Sequence, residues 1–135
     1  MNTPTLHILS RYDLATGEKL PREPHIVIAV SNWTAERMPI DDCIQLYFDD
    51  ASYPSPKHRL MDRRQAEAII EYVVAYIGDT SHIVIACENG LFRSTGIAYG
   101  LCDAFGWDTS QIHPALVPNS WVRRLVAEVG RKVKV

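Results

Sequence analysis

Three reactive side chains lie close together in the stretch IVIACENGLFRST, which runs from residue 83 to residue 95. Cys87 follows an apolar run, Arg93 comes six positions after it, and Ser94 is the next residue. A cysteine thiolate is a nucleophile, and the planar guanidinium of arginine matches two oxygens of a phosphate group. A serine hydroxyl can donate a hydrogen bond to the sulfur when the sulfur becomes a leaving group. This combination predicts phosphoryl transfer through a cysteinyl-phosphate intermediate, a reaction that needs neither metal nor cofactor.

The residues between Cys87 and Arg93 are predicted to form a loop that binds a phosphate or sulfate ion. We expect a buried strand to end at Cys87 and a helix to begin near Arg93, so that peptide N–H groups and the positive end of the helix dipole converge on one spot. The same field favours the thiolate form of Cys87. Asn89 and Gly90 tolerate the positive φ that such a turn requires. The predicted phosphate-binding residues are Glu88, Asn89, Gly90, Leu91, Phe92 and Arg93.

The remainder of the sequence predicts alternating strands and helices that position this loop. Continuous or alternating apolar runs predict strands, whereas apolar residues at i, i+3 and i+4 spacing predict helices. The predicted strands are TLHILS (5–10), HIVIAV (25–30), CIQLYF (43–48) and HIVIAC (82–87), and the predicted helices are DRRQAEAIIEYVVAYIG (62–78), TGIAYGLCDAF (95–105) and a last helix near PNSWVRRLVAEVG (118–130), with a loop at 49–61. This order predicts an α/β fold in which helices flank a mostly parallel central sheet.

A few side chains indicate where these helices start and how they pack. Asp62 begins a pattern typical of a capping box, and Asn119 or Ser120 can cap the last helix. Gly96 and Gly100 are predicted to let the helix after the loop pack closely on the sheet.

Length and composition predict one catalytic domain over residues 1–135. The chain is 47% hydrophobic and 22% charged, and no segment has the uninterrupted apolar length of a membrane span. The N-terminus lacks the basic and apolar pattern of a secretory signal, so we expect a cytoplasmic protein with no membrane partner. A formal net charge of −2 predicts no nucleic-acid partner, and the five histidines are too dispersed to predict a metal site.

The segment CENGLFRST resembles the signature loop of the cysteine-dependent protein tyrosine phosphatase superfamily, with Gly90 at the usual place of the loop glycine. The resemblance extends from about residue 25 to the last helix. It is closest to the compact dual-specificity phosphatases and their small bacterial and phage relatives. It implies a protein tyrosine phosphatase-like fold of the dual-specificity type and a hydrolase activity on phosphorylated proteins or peptides. Cys87, Arg93 and Ser94 would be its catalytic residues.

The resemblance also implies a general acid that protonates the departing oxygen. In this branch an acidic residue follows an earlier strand, and LYFDD at residues 46–50 occupies that place. We favour Asp50, which stands where the FxD aspartate of the small prokaryotic members stands, with Asp49 as the alternative. The plainer alternative is that both carboxylates are solvated at the exit of a strand.

The family usually has histidine before the nucleophile, where this sequence has Ala86. An alternative function is therefore a catalytically weakened protein that acts as a phospho-residue binding module. Sulfur transfer or arsenate reduction is a third hypothesis, which the RST ending and the upstream FDD disfavour. Phosphoinositide-directed relatives tend to have lysines in this loop, whereas this sequence has Glu88 and no lysine there. The resemblance thus implies a singly phosphorylated substrate, phosphotyrosine first and phosphoserine or phosphothreonine second.

Three further residues have a functional and a structural interpretation. Cys43 and Cys102 are predicted to be packing residues rather than redox partners of Cys87. His58 is predicted to be a surface histidine, with contact to the substrate as the alternative.

Overall fold

The computed structural model of the chain describes residues 3–38 and 43–133. In chain order its elements are β1 (Thr5–Ser10), α1 (Arg11–Thr16), β2 (His25–Ser31), β3 (Ile44–Tyr47), α2 (Arg63–Tyr76), β4 (His82–Cys87), α3 (Phe92–Phe105), a 3-10 turn (Thr109–Gln111) and α4 (Ser120–Arg131). Within the described ranges no helix is long and apolar enough to cross a bilayer.

The four strands form one parallel sheet in the order β1-β4-β2-β3. The predicted α/β fold with a parallel central sheet flanked by helices is therefore confirmed. Strand β4 lies between β1 and β2, with Cys87 opposite Ser10 and Ala86 opposite Ala29. In open α/β sheets, ligands bind beyond the carboxyl ends of the strands where the strand order reverses. The carboxyl end of β4 occupies such a point.

Both faces of the sheet are covered, which explains the nearly continuous apolar runs in β2 and β4. On one face, Ile28, Ile85 and Cys87 belong to a larger core that also contains residues of α2, α3 and α4. On the other face, Ala86 belongs to a smaller core to which α1 contributes Leu14. The side chain of Cys87 therefore lies on the face that carries α3.

Short polar motifs fix several helix starts. The Oδ1 atom of Asp62 accepts from the backbone N–H of Gln65 at 2.9 Å, and the backbone N–H of Asp62 donates to Gln65 Oε1 at 3.0 Å. This is the predicted capping box, and Asn119 caps α4 as predicted. Helix α1 was not predicted, although Ser10 and Asp13 form a second capping box at its start.

The prediction that Gly96 and Gly100 pack on the sheet is wrong, because both glycines face α4. A Cβ atom added to Gly100 would lie 2.7 Å from the Cβ of Val126, and one added to Gly96 would lie 2.9 Å from the carbonyl oxygen of Asn119. The absence of side chains at these two positions lets α3 and α4 approach closely. Sequence spacing alone does not show which neighbour a small helical residue faces.

This packing predicts that Gly100→Ala destabilises the protein by about 1–3 kcal/mol, the usual cost of overpacking a tight contact. Gly78→Ala is the matched control, because a Cβ added at Gly78 meets nothing within 4 Å. That variant should gain about 0.4–1 kcal/mol from the reduced entropy of the unfolded chain. Urea denaturation of the two variants measures both effects. Equal stability of Gly100→Ala and the parent would contradict the close approach of α3 and α4.

Candidate active site

Two of the predicted catalytic residues lie in contact at the start of α3. Cys87 is 2% exposed at the end of β4, and Ser94 is fully buried in the first turn of α3. The Sγ atom of Cys87 and the Oγ atom of Ser94 are 3.1 Å apart, a distance suited to a hydrogen bond involving sulfur. The loop of residues 88–91 brings the chain from one to the other.

The guanidinium of Arg93 is held by oxygen atoms that follow two other strands. Arg93 is 5% exposed, and its Nη1 atom donates to the Oδ1 of Asn32 at 2.9 Å and to the carbonyl oxygen of Phe48 at 2.8 Å. Asn32 directly follows β2, and Phe48 directly follows β3. The Nε and Nη2 atoms donate to no described residue. One side of the planar fork is thus fixed, and the other can donate two parallel hydrogen bonds to an oxyanion.

The loop itself is shaped by Gly90, whose φ is 66°. A Cβ atom at this position would lie 2.7 Å from the carbonyl carbon of Leu9 and 2.8 Å from the backbone nitrogen of Ser10. The loop therefore packs directly on the end of β1, and only glycine fits there. At its far end, Leu91 provides no side-chain cap for α3, so the first N–H groups of the helix are not occupied by a capping side chain. Such N–H groups suit an anion.

The acidic side chain within the loop is paired with a residue of α1. The Oε1 atom of Glu88 lies 3.3 Å from the Nη1 of Arg11, whose Nη2 donates to the carbonyl oxygen of Glu36 at 2.9 Å. The backbone N–H of Arg11 also donates to the carbonyl oxygen of Glu88 at 3.4 Å. The negative charge next to Cys87 is therefore balanced by a neighbouring positive charge.

Of the two candidate acids, Asp49 accepts a backbone hydrogen bond at each of its carboxylate oxygens. Its Oδ2 accepts from the N–H of Arg59 at 2.8 Å, and its Oδ1 accepts from the N–H of Trp33 at 3.2 Å. The hydrogen bond from Arg59 is the main reason why the pKa of Asp49 lies below its usual range, and the bond from Trp33 adds to it against the opposing effect of burial. Asp49 thus ties the loop after β3 to the loop after β2.

Asp50 has a different environment. It is exposed, and its Oδ1 accepts from the Nδ2 of Asn119 at 2.8 Å. It lines a cleft of about 290 Å³ together with Tyr53, His58 and Phe92. It also lines a second cleft of about 710 Å³, which His58 shares. The predicted acid and a residue of the predicted loop therefore border the same cleft, and the exposed His58 is adjacent to both clefts.

The hydrophobic cores contain or contact three other residues considered in the sequence: Ala86, Cys102 and Cys43. Ala86 is buried in the smaller core, on the face opposite to Cys87. Cys102 is buried in the larger core, and burial raises its pKa to about 11. Cys43 is partly buried and packs against the smaller core. Both thiols therefore pack as expected from the sequence.

Three residues of this site were missed by the sequence analysis or were assigned only part of their role. Arg11 and Asn32 were not singled out, and Asn119 was expected only as a helix cap. Arg11 and Asn32 share a usable signal, because each directly follows the end of a parallel strand. The side-chain nitrogen of Asn119 contacts a loop some seventy residues earlier, as its bond to Asp50 spans 69 positions, and no local pattern indicates that contact.

Comparison with known proteins gives a structural match only. No protein-family model matches the chain, and no curated protein sequence matches it. Among solved structures, the crystal structure of Tk-PTP in the active form matches with a TM-score of 0.55. The match covers 94% of this chain and 90% of that chain, at 14% sequence identity. The chain has a protein tyrosine phosphatase-like fold. At this identity the likeness establishes the fold alone, and the roles of the residues depend on the geometry described above.

The ion pair beside Cys87 predicts opposite effects of two substitutions on anion binding. Arg11→Met leaves the charge of Glu88 unbalanced and should weaken inhibitory binding of inorganic phosphate or vanadate, whereas Glu88→Gln should strengthen it. Each change should be about three- to tenfold, as expected for one unit charge near a partly exposed site. The double variant should return close to the parent. Titration of each variant with vanadate measures the effect, and weakening by both single substitutions would show that the pair acts through structure rather than charge.

Proposed function

We propose that the protein is a cysteine-dependent phosphomonoesterase that hydrolyses phosphotyrosine in proteins or peptides, with phosphoserine and phosphothreonine as further substrates. The main support is the burial and hydrogen bonding of the Arg93 guanidinium. Its guanidinium is buried and, among the described residues, held through Nη1 alone, at the end of a loop that starts at Cys87. Two N–H groups on one edge of a fixed plane match two oxygens of a phosphate. The fold shared with Tk-PTP is consistent with this activity.

In the first step, the thiolate of Cys87 attacks the phosphorus atom while the bond between phosphorus and the ester oxygen breaks. Arg93 and the N–H groups of the loop hold the oxygens on which charge accumulates. A proton from Asp50 passes to the departing oxygen, so that a phenol or alcohol leaves rather than its anion. The product of this step is a cysteinyl-phosphate.

In the second step, water attacks the same phosphorus atom and the bond to sulfur breaks. Asp50, now ionised, accepts the proton of the attacking water, which restores its starting state. The hydroxyl of Ser94, 3.1 Å from the sulfur, donates to the thiolate as it leaves. Inorganic phosphate is the second product, and the enzyme returns to its initial protonation.

Asp50 is a better candidate than Asp49 for this proton transfer. Both carboxylate oxygens of Asp49 accept backbone N–H groups, which lower its pKa and disfavour its protonated form. Neither oxygen is therefore left to carry a proton to the leaving group. Asp50 makes one hydrogen bond through Oδ1, and its Oδ2 makes none to any described residue. Its position beside Phe92 on the rim of the cleft supports contact with a leaving group.

The lining of this cleft supports an aromatic leaving group. Tyr53 is 69% exposed and Phe92 is 45% exposed, and Pro118 lies on the same cleft. These apolar surfaces can contact the ring of a phosphotyrosine beside Asp50. The charge of Glu88 is paired with Arg11, which leaves the loop without a free cation for a second phosphate.

The proposal predicts turnover of p-nitrophenyl phosphate without added metal between pH 5 and pH 8. The amount of p-nitrophenol released measures this turnover. Cys87→Ser should abolish this turnover, because the hydroxyl of serine is a far weaker nucleophile in this setting. Cys43→Ser is the matched control and should retain it. A folded parent protein that releases no phosphate but binds phosphopeptide saturably would instead support the phospho-residue binding module.

A second pair of variants separates the two aspartates. Asp50→Asn should lower kcat/KM for phenyl phosphate by about 10²–10⁴-fold, the usual contribution of general acid catalysis. The loss should be much smaller for p-nitrophenyl phosphate, whose leaving group needs little protonation. A loss that is equal for both esters would contradict the role of Asp50 as the acid.

Asp49→Asn should leave the ratio of the two rates unchanged and lower the free energy of unfolding. Because folding lowers the pKa of Asp49, its contribution to stability is present at neutral pH and disappears as the pH falls through its folded-state pKa. The stability difference between parent and variant should therefore shrink on acidification. Urea denaturation at neutral and acidic pH measures it, and a change in leaving-group dependence would reverse the assignment of the two aspartates.

A further inference from the structure

Asn119 joins three parts of the structure. It is 6% exposed, and its side-chain Oδ1 accepts from the N–H of Val122 at 3.1 Å, which caps α4. Its Nδ2 donates to the Oδ1 of Asp50 at 2.8 Å and to the carbonyl oxygen of Ala51 at 3.0 Å. Its backbone N–H donates to the carbonyl oxygen of Phe92 at 2.9 Å. One buried residue therefore contacts the last helix, the segment that carries the candidate acid and the end of the anion-binding loop.

We propose that Asn119 is a positioning residue, which holds the carboxyl group of Asp50 at a fixed place relative to the Cys87 loop. The inference rests on the phosphatase function proposed above. It assigns to this side chain a role in leaving-group protonation that helix capping does not require.

Helix capping uses only half of the Asn119 side chain. A cap needs an acceptor oxygen, and serine, threonine or aspartate would provide one equally well. Serine and threonine have a single hydroxyl oxygen, so among these residues only asparagine combines the acceptor oxygen with a separate NH2 group, and here both N–H directions of Nδ2 are used on the Asp50 segment. The buried amide is therefore hydrogen-bonded at both its oxygen and its nitrogen. The nitrogen, which capping does not use, binds the candidate acid.

The segment that carries Asp50 has few other means of fixing that carboxyl group. Residues 48–62 contain no helix or strand, and Asp50 itself is exposed. An exposed carboxylate at a loop position samples several rotamers unless a hydrogen bond selects one. The bond from Nδ2 selects one, and it also separates the two oxygens by role. When the carboxyl group is protonated, the donor N–H favours Oδ1 as its carbonyl oxygen, which leaves the proton on Oδ2.

The backbone of Asn119 fixes the other end of the connection. Its N–H bonds to Phe92, the first residue of α3, and its carbonyl oxygen lies where a Cβ of residue 96 would be 2.9 Å away. Gly96 thus keeps α4 close to the start of α3. The distance from the acid to the loop is therefore set through a single well-packed residue.

Asn119→Ser provides the sharpest test, because serine keeps an acceptor oxygen for Val122 and removes the Nδ2 amide group that donates to Asp50 and Ala51. Asn119→Asp is a second variant, which keeps both the shape and the cap and replaces the donor with a carboxylate oxygen. Asp62→Ser is the matched control, since it makes the same kind of exchange at the cap of α2, away from the cleft. Turnover of phenyl phosphate and p-nitrophenyl phosphate, inhibition by inorganic phosphate, and thermal unfolding are measured for each protein.

Both Asn119 variants should lose at least tenfold in kcat for phenyl phosphate and much less for p-nitrophenyl phosphate. Inhibition by phosphate should be unchanged in Asn119→Ser, which adds no charge. In an Asp50→Asn background, Asn119→Ser should cause no further loss, because the group that it positions is already absent. Asp62→Ser should leave all the rates unchanged. A purely structural role instead predicts equal losses with both esters, weaker phosphate inhibition and a lower unfolding temperature, and that pattern would overturn the inference.

The inference and the proposed function fail in different ways. A parent protein that turns over neither ester contradicts the phosphatase function, and the inference falls with it. An active parent together with an Asn119→Ser variant whose ratio of the two rates is unchanged contradicts the inference alone.

Discussion

The guanidinium of Arg93 keeps its charge at a position that is only 5% exposed to solvent, so it requires oxygen acceptors from the protein. The side chain of Asn32 and the carbonyl group of Phe48 provide two of them, and both bind the same nitrogen. This arrangement determines the plane of the guanidinium and the edge that remains for an anion. The orientation of Arg93 therefore depends on strands that are distant in sequence from the loop at whose end it lies.

The strand order explains why so many segments meet at this point. Because β4 lies between β1 and β2, the residues that follow those neighbouring strands flank the loop that starts at Cys87. Arg11, after β1, pairs with Glu88, and Asn32, after β2, binds Arg93. The segment after β3 contributes Phe48 and the two aspartates. A parallel sheet with this order thus gathers four strand ends around one thiol, as the switch-point rule for open α/β sheets describes.

Sequence patterns were sufficient for the strand, loop and helix around Cys87, because apolar runs, glycine and cap residues act locally. The capping box at Asp62 was likewise readable, since its two partners are three residues apart. The contact of Asn119 with Asp50, and the partners of Arg11 and Asn32, could not be predicted, because each depends on a residue that only the folded chain brings near. The error at Gly96 and Gly100 has the same origin, since a helix pattern shows that one face has no side chains at two positions but does not identify the element packed against that face.

Strand β1 lies at the edge of the sheet, and its neighbour there is β4. The pair Arg11 and Glu88, which joins these two strands at the loop, spans 77 residues of sequence. Contacts between residues so far apart in sequence carry a large entropic cost of loop closure, which slows the folding of a domain. A nascent chain can therefore pair β2 with β3 while the first strand still lacks its partner. The loop after Cys87 reaches its final position only when β4 inserts, so partly folded chains lack the complete candidate site.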